Sequence, residues 1–393
     1  MQISKAELRQ SWNQEKRKKR NKMILLTILA ILVFCICICM EDTNQPGDQF
    51  FLPILYFKGL FWQIAVSISG IFQGALWHQR LDIFASINDV NRLVIGNIKY
   101  TTIGFVAGAG LAVSGGIFQT IYKNPMASPN MLGATTGVQL GNVLMVTLYS
   151  SQAMTMIVMR YRLCYLLTAI CVGGILLLGK LAGDRTGNPS VMKMVMAGSI
   201  INQAISTTTM YLMYQLTDED LLTYQQIGMG TYIDLELISM ILFFVIMGVA
   251  LVPMLLLRYR FNITGIDDAE ARVTGVNPSP YRMVGQICGV LMVTAAVIHC
   301  GQAGMLTMVI PYIVRNAIGS DFRRIFAYSA MFGGMLMMIC RTVTRCATLH
   351  DAAGKVLVDA NLQAIRLPAT FIVNICLLPF FMIILARQGR AFD

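Results

Sequence analysis

Residues 237–300 read LISMILFFVIMGVALVPMLLLRYRFNITGIDDAEARVTGVNPSPYRMVGQICGVLMVTAAVIHC, two oily runs around an island of charge, glycine and proline. The runs, 237–257 and 284–299, have about the 17 to 25 apolar residues that a helix needs to cross a bilayer. Within the island, Asp267 with Glu270 three residues on has the form of a helix start, where a capping carboxylate accepts backbone N–H bonds and the later Glu reaches back. Arg272 lies near the negative end, Gly275 can supply a left-handed closing turn, and Pro278 and Pro280 prevent continuation. Residues 267–274 are therefore predicted to form a short helix outside the membrane. Two turns of helix do not hold in water alone, so this one must rest against something.

Outward from that island the pattern repeats. Apolar runs recur at 23–40, 101–120, 133–149, 163–179, 194–214, 303–318, 325–340 and 369–386, which makes about ten crossings in all. Charged residues are 13% of the chain, against roughly 25% in soluble proteins. No segment alternates apolar and polar residues over about ten positions, as membrane-barrel strands do, so the expected class is an all-α polytopic membrane protein.

The net charge of +11 is placed for membrane topology rather than for nucleic acid. EKRKKRNK at 15–22 abuts the first apolar run, and Lys and Arg beside a helix are retained on the cytosolic side, in reach of anionic lipid. Both termini are expected inside, with basic cytosolic segments near 121–132, 180–193, 258–282 and 319–324. No small-residue cleavage site follows Met40, so the first helix is read as permanent. The expected organisation is a basic N-terminus (1–22), a first helix (23–40), an outer-face insert (41–97) and a core (98–390) with its cytosolic loop at 258–282. Within the insert, residues 50–77 are long enough to cross but would invert every later loop, so they are read as interfacial or re-entrant.

Most of the ten cysteines fall inside apolar runs, where they act as small hydrophobes. The 27 methionines are scattered, and the three histidines lie far apart, so neither a metal site nor a cofactor is expected. Glycine pairs at four-residue spacing, Gly104 and Gly108, Gly137 and Gly141, Gly285 and Gly289, predict closely packed helices.

The apolar runs contain no Asp or Glu, whereas ion-coupled transporters use intramembrane carboxylates. There is no G-x-x-x-x-G-K-[ST] loop either. A chain so built that moves cargo uphill must receive energy from another polypeptide, and the island at 265–280 is the natural contact. One alternative is a membrane enzyme using DDAE at 267–270 as a metal–diphosphate site, which lacks the second acidic cluster such sites need. Others are a gradient-driven secondary transporter and a degenerate permease acting as a receptor or scaffold.

At this point the residues resemble a known family. GFVAGAGLAVSGGIFQTIYKNPMASPNMLGATTGVQLG at 104–141 is similar to the second helix and following turn of the FecCD-type permeases of ABC importers for iron–siderophore, haem and cobalamin. MAGSIINQAIS at 196–206, GIDDAEARVTGVN at 265–277, GQAGMLTMVIPYIVRNAIGSDFRR at 301–324 and the closing RLPATFIVNICLLPFFMIILARQGR at 366–390 resemble later segments of that family. The likeness covers most of 97–390.

It implies a bacterial cytoplasmic-membrane permease working as a dimer with a second copy or homologue. Two ATPase subunits would lie beneath it, and a solute-binding lipoprotein or periplasmic protein above. It implies no bond chemistry in this chain. Asp267, Asp268, Glu270, Ala271, Arg272, Gly275 and Val276 would form the ATPase-coupling helix. On the fifth helix, Asn202, Ser206, Thr209 and Met213 share one face and would line the translocation pathway. The family's Arg-Leu-Pro-Arg is replaced by NIKY at 97–100, and Tyr312 stands in place of a histidine. Lys99, Arg341, Arg345 and Arg366 are the expected basic surface for an acidic binding protein.

Overall fold

Each of the ten apolar runs falls on a helix in the computed structural model, which describes residues 21, 23–37, 81–149, 153–181, 191–228, 230, 237–265, 268–273, 275–346 and 368–389. In chain order these helices are α1 (Met23–Cys37), α2 (Leu81–Ile121), α3 (Ala134–Tyr149), α4 (Ala153–Leu181), α5 (Val191–Tyr214), α6 (Asp218–Gly228) and α7 (Leu237–Leu256). They continue as α8 (Arg258–Thr264), α9 (Asp268–Val273), α10 (Pro278–Cys300), α11 (Gly304–Ile318), α12 (Phe322–Cys346) and α13 (Ala369–Gly389). Among the described residues there is one 3-10 turn, Pro129–Leu132, and no strand. Helices suit this composition because each satisfies its own backbone hydrogen bonds without water.

Burial sorts the helices into layers. Among the described residues, five are long and apolar enough to span a bilayer. Of these, the windows in α2 and α10 are 83% and 78% buried, so they form the centre, whereas those in α4 and α7 are 33% buried and face outward. The exposed stripe on α7, Ile238, Ile241, Val245, Val249, Val252 and Leu256, is wholly apolar and suits lipid rather than water.

The paired glycines mark close crossings. A Cβ on Gly108 would stand 2.3 Å from the Gly333 carbonyl oxygen of α12. On Gly141 it would meet Cys164 Cα of α4 at 2.7 Å, and on Gly289 the Phe118 ring of α2 at 2.7 Å. The spacing read in the sequence is thus the spacing of α2 on α12, α3 on α4 and α10 on α2.

Helix α2 differs from expectation. It runs 41 residues, about 60 Å at 1.5 Å per residue, and takes in residues 81–97 of the segment expected to be an outer-face insert. Asn88, Asp89, Asn91 and Arg92 give that stretch a loop-like composition, but it has no proline, and Gly96 alone does not end a helix. Residues 50–77, expected to be interfacial, lie outside the described residues.

Three of the loops expected to share one side do meet at one end of the bundle. Gln286 Nε2 at the start of α10 donates to Tyr122 Oη after α2 at 2.7 Å. Asn262 Nδ2 of α8 donates to Asp321 Oδ1 between α11 and α12 at 2.8 Å. This end carries Lys123, Arg258, Arg260, Arg282, Arg315, Arg323 and Arg324 and is called the basic end below.

Candidate functional site

Helix α9 sits at the basic end between α8 and α10. It spans Asp268–Val273 and closes on Gly275 at φ +77°, a backbone favourable only to glycine, with Val276 N donating to Ala271 O at 3.2 Å. Asn277 then caps α10 by accepting from Ser279 N at 3.2 Å. Ala271 and Val276 are buried, whereas Glu270 and Gly275 are exposed and Val273 is 87% exposed. Two small apolar side chains thus tie the helix to its own chain, and an acid and a bare valine point away. Asp267 lies outside the described residues, as do the side chains of Asp268 and Arg272. Val273 was not singled out in the sequence, because two turns of helix alone do not show which face will be covered.

The support beneath α9 is rigid. Phe261 of α8 is fully buried and meets the Phe322 ring edge-on at 5.3 Å. Asp321 pairs with Arg323 at 2.8 Å and Arg324 at 3.7 Å. Burial pushes the Asp321 carboxyl upward, but hydrogen bonds from Arg323 and Asn262 outweigh it and hold it at about 2. The network is therefore intact above the ordinary carboxylate range and loosens only as pH falls toward 2.

In mid-bundle a cavity of about 390 Å³ is lined by neutral amides and hydroxyls, among them Asn130, Thr136, Gln139, Asn202, Gln302 and Asn374. Asn202 Nδ2 donates to Asn130 O at 3.2 Å, and its oxygen accepts from Thr136 Oγ1 at 2.7 Å. Asn374 Oδ1 is buried without a partner, so the cavity holds an unmet acceptor.

Of the four residues predicted on one face of α5, only Asn202 lines this cavity. Ser206 is half-buried, Thr209 bonds back to Ile205 O at 2.9 Å, and Met213 packs on a satellite cluster around Val143 and Tyr224. The opposite face of α5 exposes Gln203, Thr207, Thr208, Met210 and Tyr211. The other cavity amides, Gln139 and Asn374 inside apolar runs and Asn130 and Gln302 between them, were not legible as a group, since nothing in the order of the chain shows that they converge.

At the far end, Lys99 is half-buried. Arg341 is 1% exposed, with its guanidinium 4.2 Å from the Tyr100 ring centroid and Nη1 donating to Cys300 Sγ at 2.8 Å. So enclosed, Arg341 offers no surface to a docking protein in this conformation. A second buried arginine, Arg160, donates to Asn142 Oδ1 and Ile298 O. Both cations meet the C-terminal end of α10, Arg160 at the Ile298 carbonyl and Arg341 at the Cys300 thiol, where the negative end of the helix dipole favours positive charge. The side chain of Arg345 and the whole of Arg366 lie outside the described residues. Among the described residues no three of His, Cys, Asp and Glu come together as a metal site.

A helical bundle whose apolar runs carry no carboxylate, with a cavity lined partly by neutral amides inside and a short helix at its basic end, is the build of a multi-pass membrane protein. The chain belongs to the FecCD transport family, whose profile matches residues 54–387. That match begins well before residue 97 and takes in much of the segment in which the sequence resemblance found no counterpart. A chain named as an ABC transporter permease in Methanocaldococcus jannaschii is 27% identical over 310 residues, covering 73% of this chain and 86% of that one. The Fe(3+)-citrate import permease of Bacillus subtilis is 23% identical over 340 residues, 86% of this chain and 93% of that one. A solved structure described as an inward-facing metal-chelate type ABC transporter aligns with TM-score 0.68 at 18% identity, over 94% of this chain and 99% of that chain. The fold is thus that of an ABC importer permease.

Proposed function

We propose that this permease carries an iron chelate of the siderophore, haem or cobalamin type inward across a bacterial cytoplasmic membrane, driven by separate ATP-hydrolysing subunits that dock on α9. The observation that carries this reading is the placement of α9. A six-residue helix has no stability of its own, yet this one is tied down by buried Ala271 and Val276 and turns Glu270 and Val273 outward. The basic residues around it support a cytosolic position for this end, with both termini inside. The apolar runs of these helices hold no acid with which to harvest an ion gradient. Iron as the cargo rests on the Fe(3+)-citrate relative. A second permease copy or homologue completes the assembly, with a solute-binding protein outside. Lys99, Arg345 and Arg366 remain the candidate residues for docking it.

Co-purification with an ABC ATPase subunit co-expressed with this chain tests the proposal. Val273→Asp places a charge on a side chain that is already exposed, so the fold is retained and ATPase capture drops at least about tenfold. Undiminished capture would remove α9 as the contact.

A further inference from the structure

A second cavity, about 560 Å³, opens at the basic end between the turn after α2, helix α8 and the α11–α12 connection. Among the described residues its lining includes two cations, Lys123 and Arg315, and no carboxylate. Arg315 is oriented by Nη2 donating to Thr120 Oγ1 at 3.0 Å, while its Nε is enclosed without an acceptor. Asn124 uses its oxygen to accept from Met126 N at 2.9 Å, which leaves Nδ2 as a donor for a ligand. Lys123 holds a left-handed backbone at φ +52°, the one non-glycine residue with positive φ among those described. An unfavourable conformation of this kind persists where the surroundings impose it. Asp321 at the same end is itself engaged by Arg323, Arg324 and Asn262.

One lining group limits which anion fits. Gln119 Nε2 donates to Met308 O at 2.9 Å, but its Oε1 is enclosed with no donor. A bare halide would leave that acceptor unmet. An oxyanion that also bears a hydroxyl supplies acceptors to Arg315, Lys123 and Asn124 and a donor to Gln119.

We propose that this cavity is a phosphate site, filled by free hydrogen phosphate or by the phosphate and glycerol hydroxyls of a phosphatidylglycerol headgroup. Its cytosolic position rests on the orientation proposed above; its chemistry does not. A bound phosphate would bridge α2, α8 and α11 and so brace the support from which α9 projects.

The test uses the full chain in two arms. Calorimetric titration with inorganic phosphate, against chloride, reads the soluble source. Native mass spectrometry from nanodiscs of phosphatidylglycerol or phosphatidylcholine reads the lipid source. Saturable phosphate binding, or retention of phosphatidylglycerol over phosphatidylcholine, is expected in one arm and identifies the source. Arg315→Gln and the exposed Lys123→Gln are each expected to weaken it about tenfold. If Arg315→Gln does not fold, Lys123→Gln decides alone. The site is overturned if neither arm shows wild-type binding, if chloride competes equally, or if the variants that fold bind as wild type. Neither arm contains an ATPase or cargo, so its failure is separable from failure of the importer reading.

Discussion

Gly115 shows how tightly single residues set this bundle. A Cβ there would stand 1.5 Å from the Thr307 carbonyl oxygen, a backbone atom that cannot swing aside. Gly115→Val is therefore expected to part α2 from α11 and to cost about 3 kcal/mol or more, read as a lowered melting temperature of the purified chain. The role of such glycines was readable wherever two stood four apart. Arg341 was not readable in the same way. An arginine near the end of an apolar run reads as a surface cation, and the Tyr100 ring and Cys300 thiol that enclose it come from distant parts of the chain. The amides of the central cavity share that limit: Asn130, Asn202 and Asn374 sit on three separate elements.

Among elements, α9 was nearly complete in the sequence. Residues 267–274 were expected, Asp268–Val273 form the helix, and Gly275 turns left-handed as its place after the last turn required. Capping and breaking signals are local, so they survive into the fold. The covered face is a tertiary property and was not local. Ala271 is fully buried against the chain's own helices, so Ala271→Asp should detach α9 from α8 and α10. The expected readout is faster hydrogen exchange over 268–276, with exchange in α2 and α12 unchanged. Exchange confined to its wild-type rate would mean that α9 is held by something other than this contact. Helix α2 shows the reverse case, where residues 81–97 were expected to belong to an outer-face insert and instead continue the helix.

For the molecule as a whole, the order of crossings was legible because about 20 apolar residues are the same signal wherever they occur. What was not legible is how the two ends differ inside the fold. At the basic end, cations are arranged around an open cavity and a presented helix. At the other end, Arg160 and Arg341 are drawn inward onto the terminus of α10. Across the span between them the apolar runs carry no carboxylate to bind or relay an ion, which is the ground on which we propose that the driving force enters at α9. Uptake of a radiolabelled ferric chelate into cells tests this most directly. The account predicts that uptake stops when ATP is depleted and persists when a protonophore collapses the gradient with ATP maintained. Uptake that survives ATP depletion and is abolished by the protonophore would contradict it.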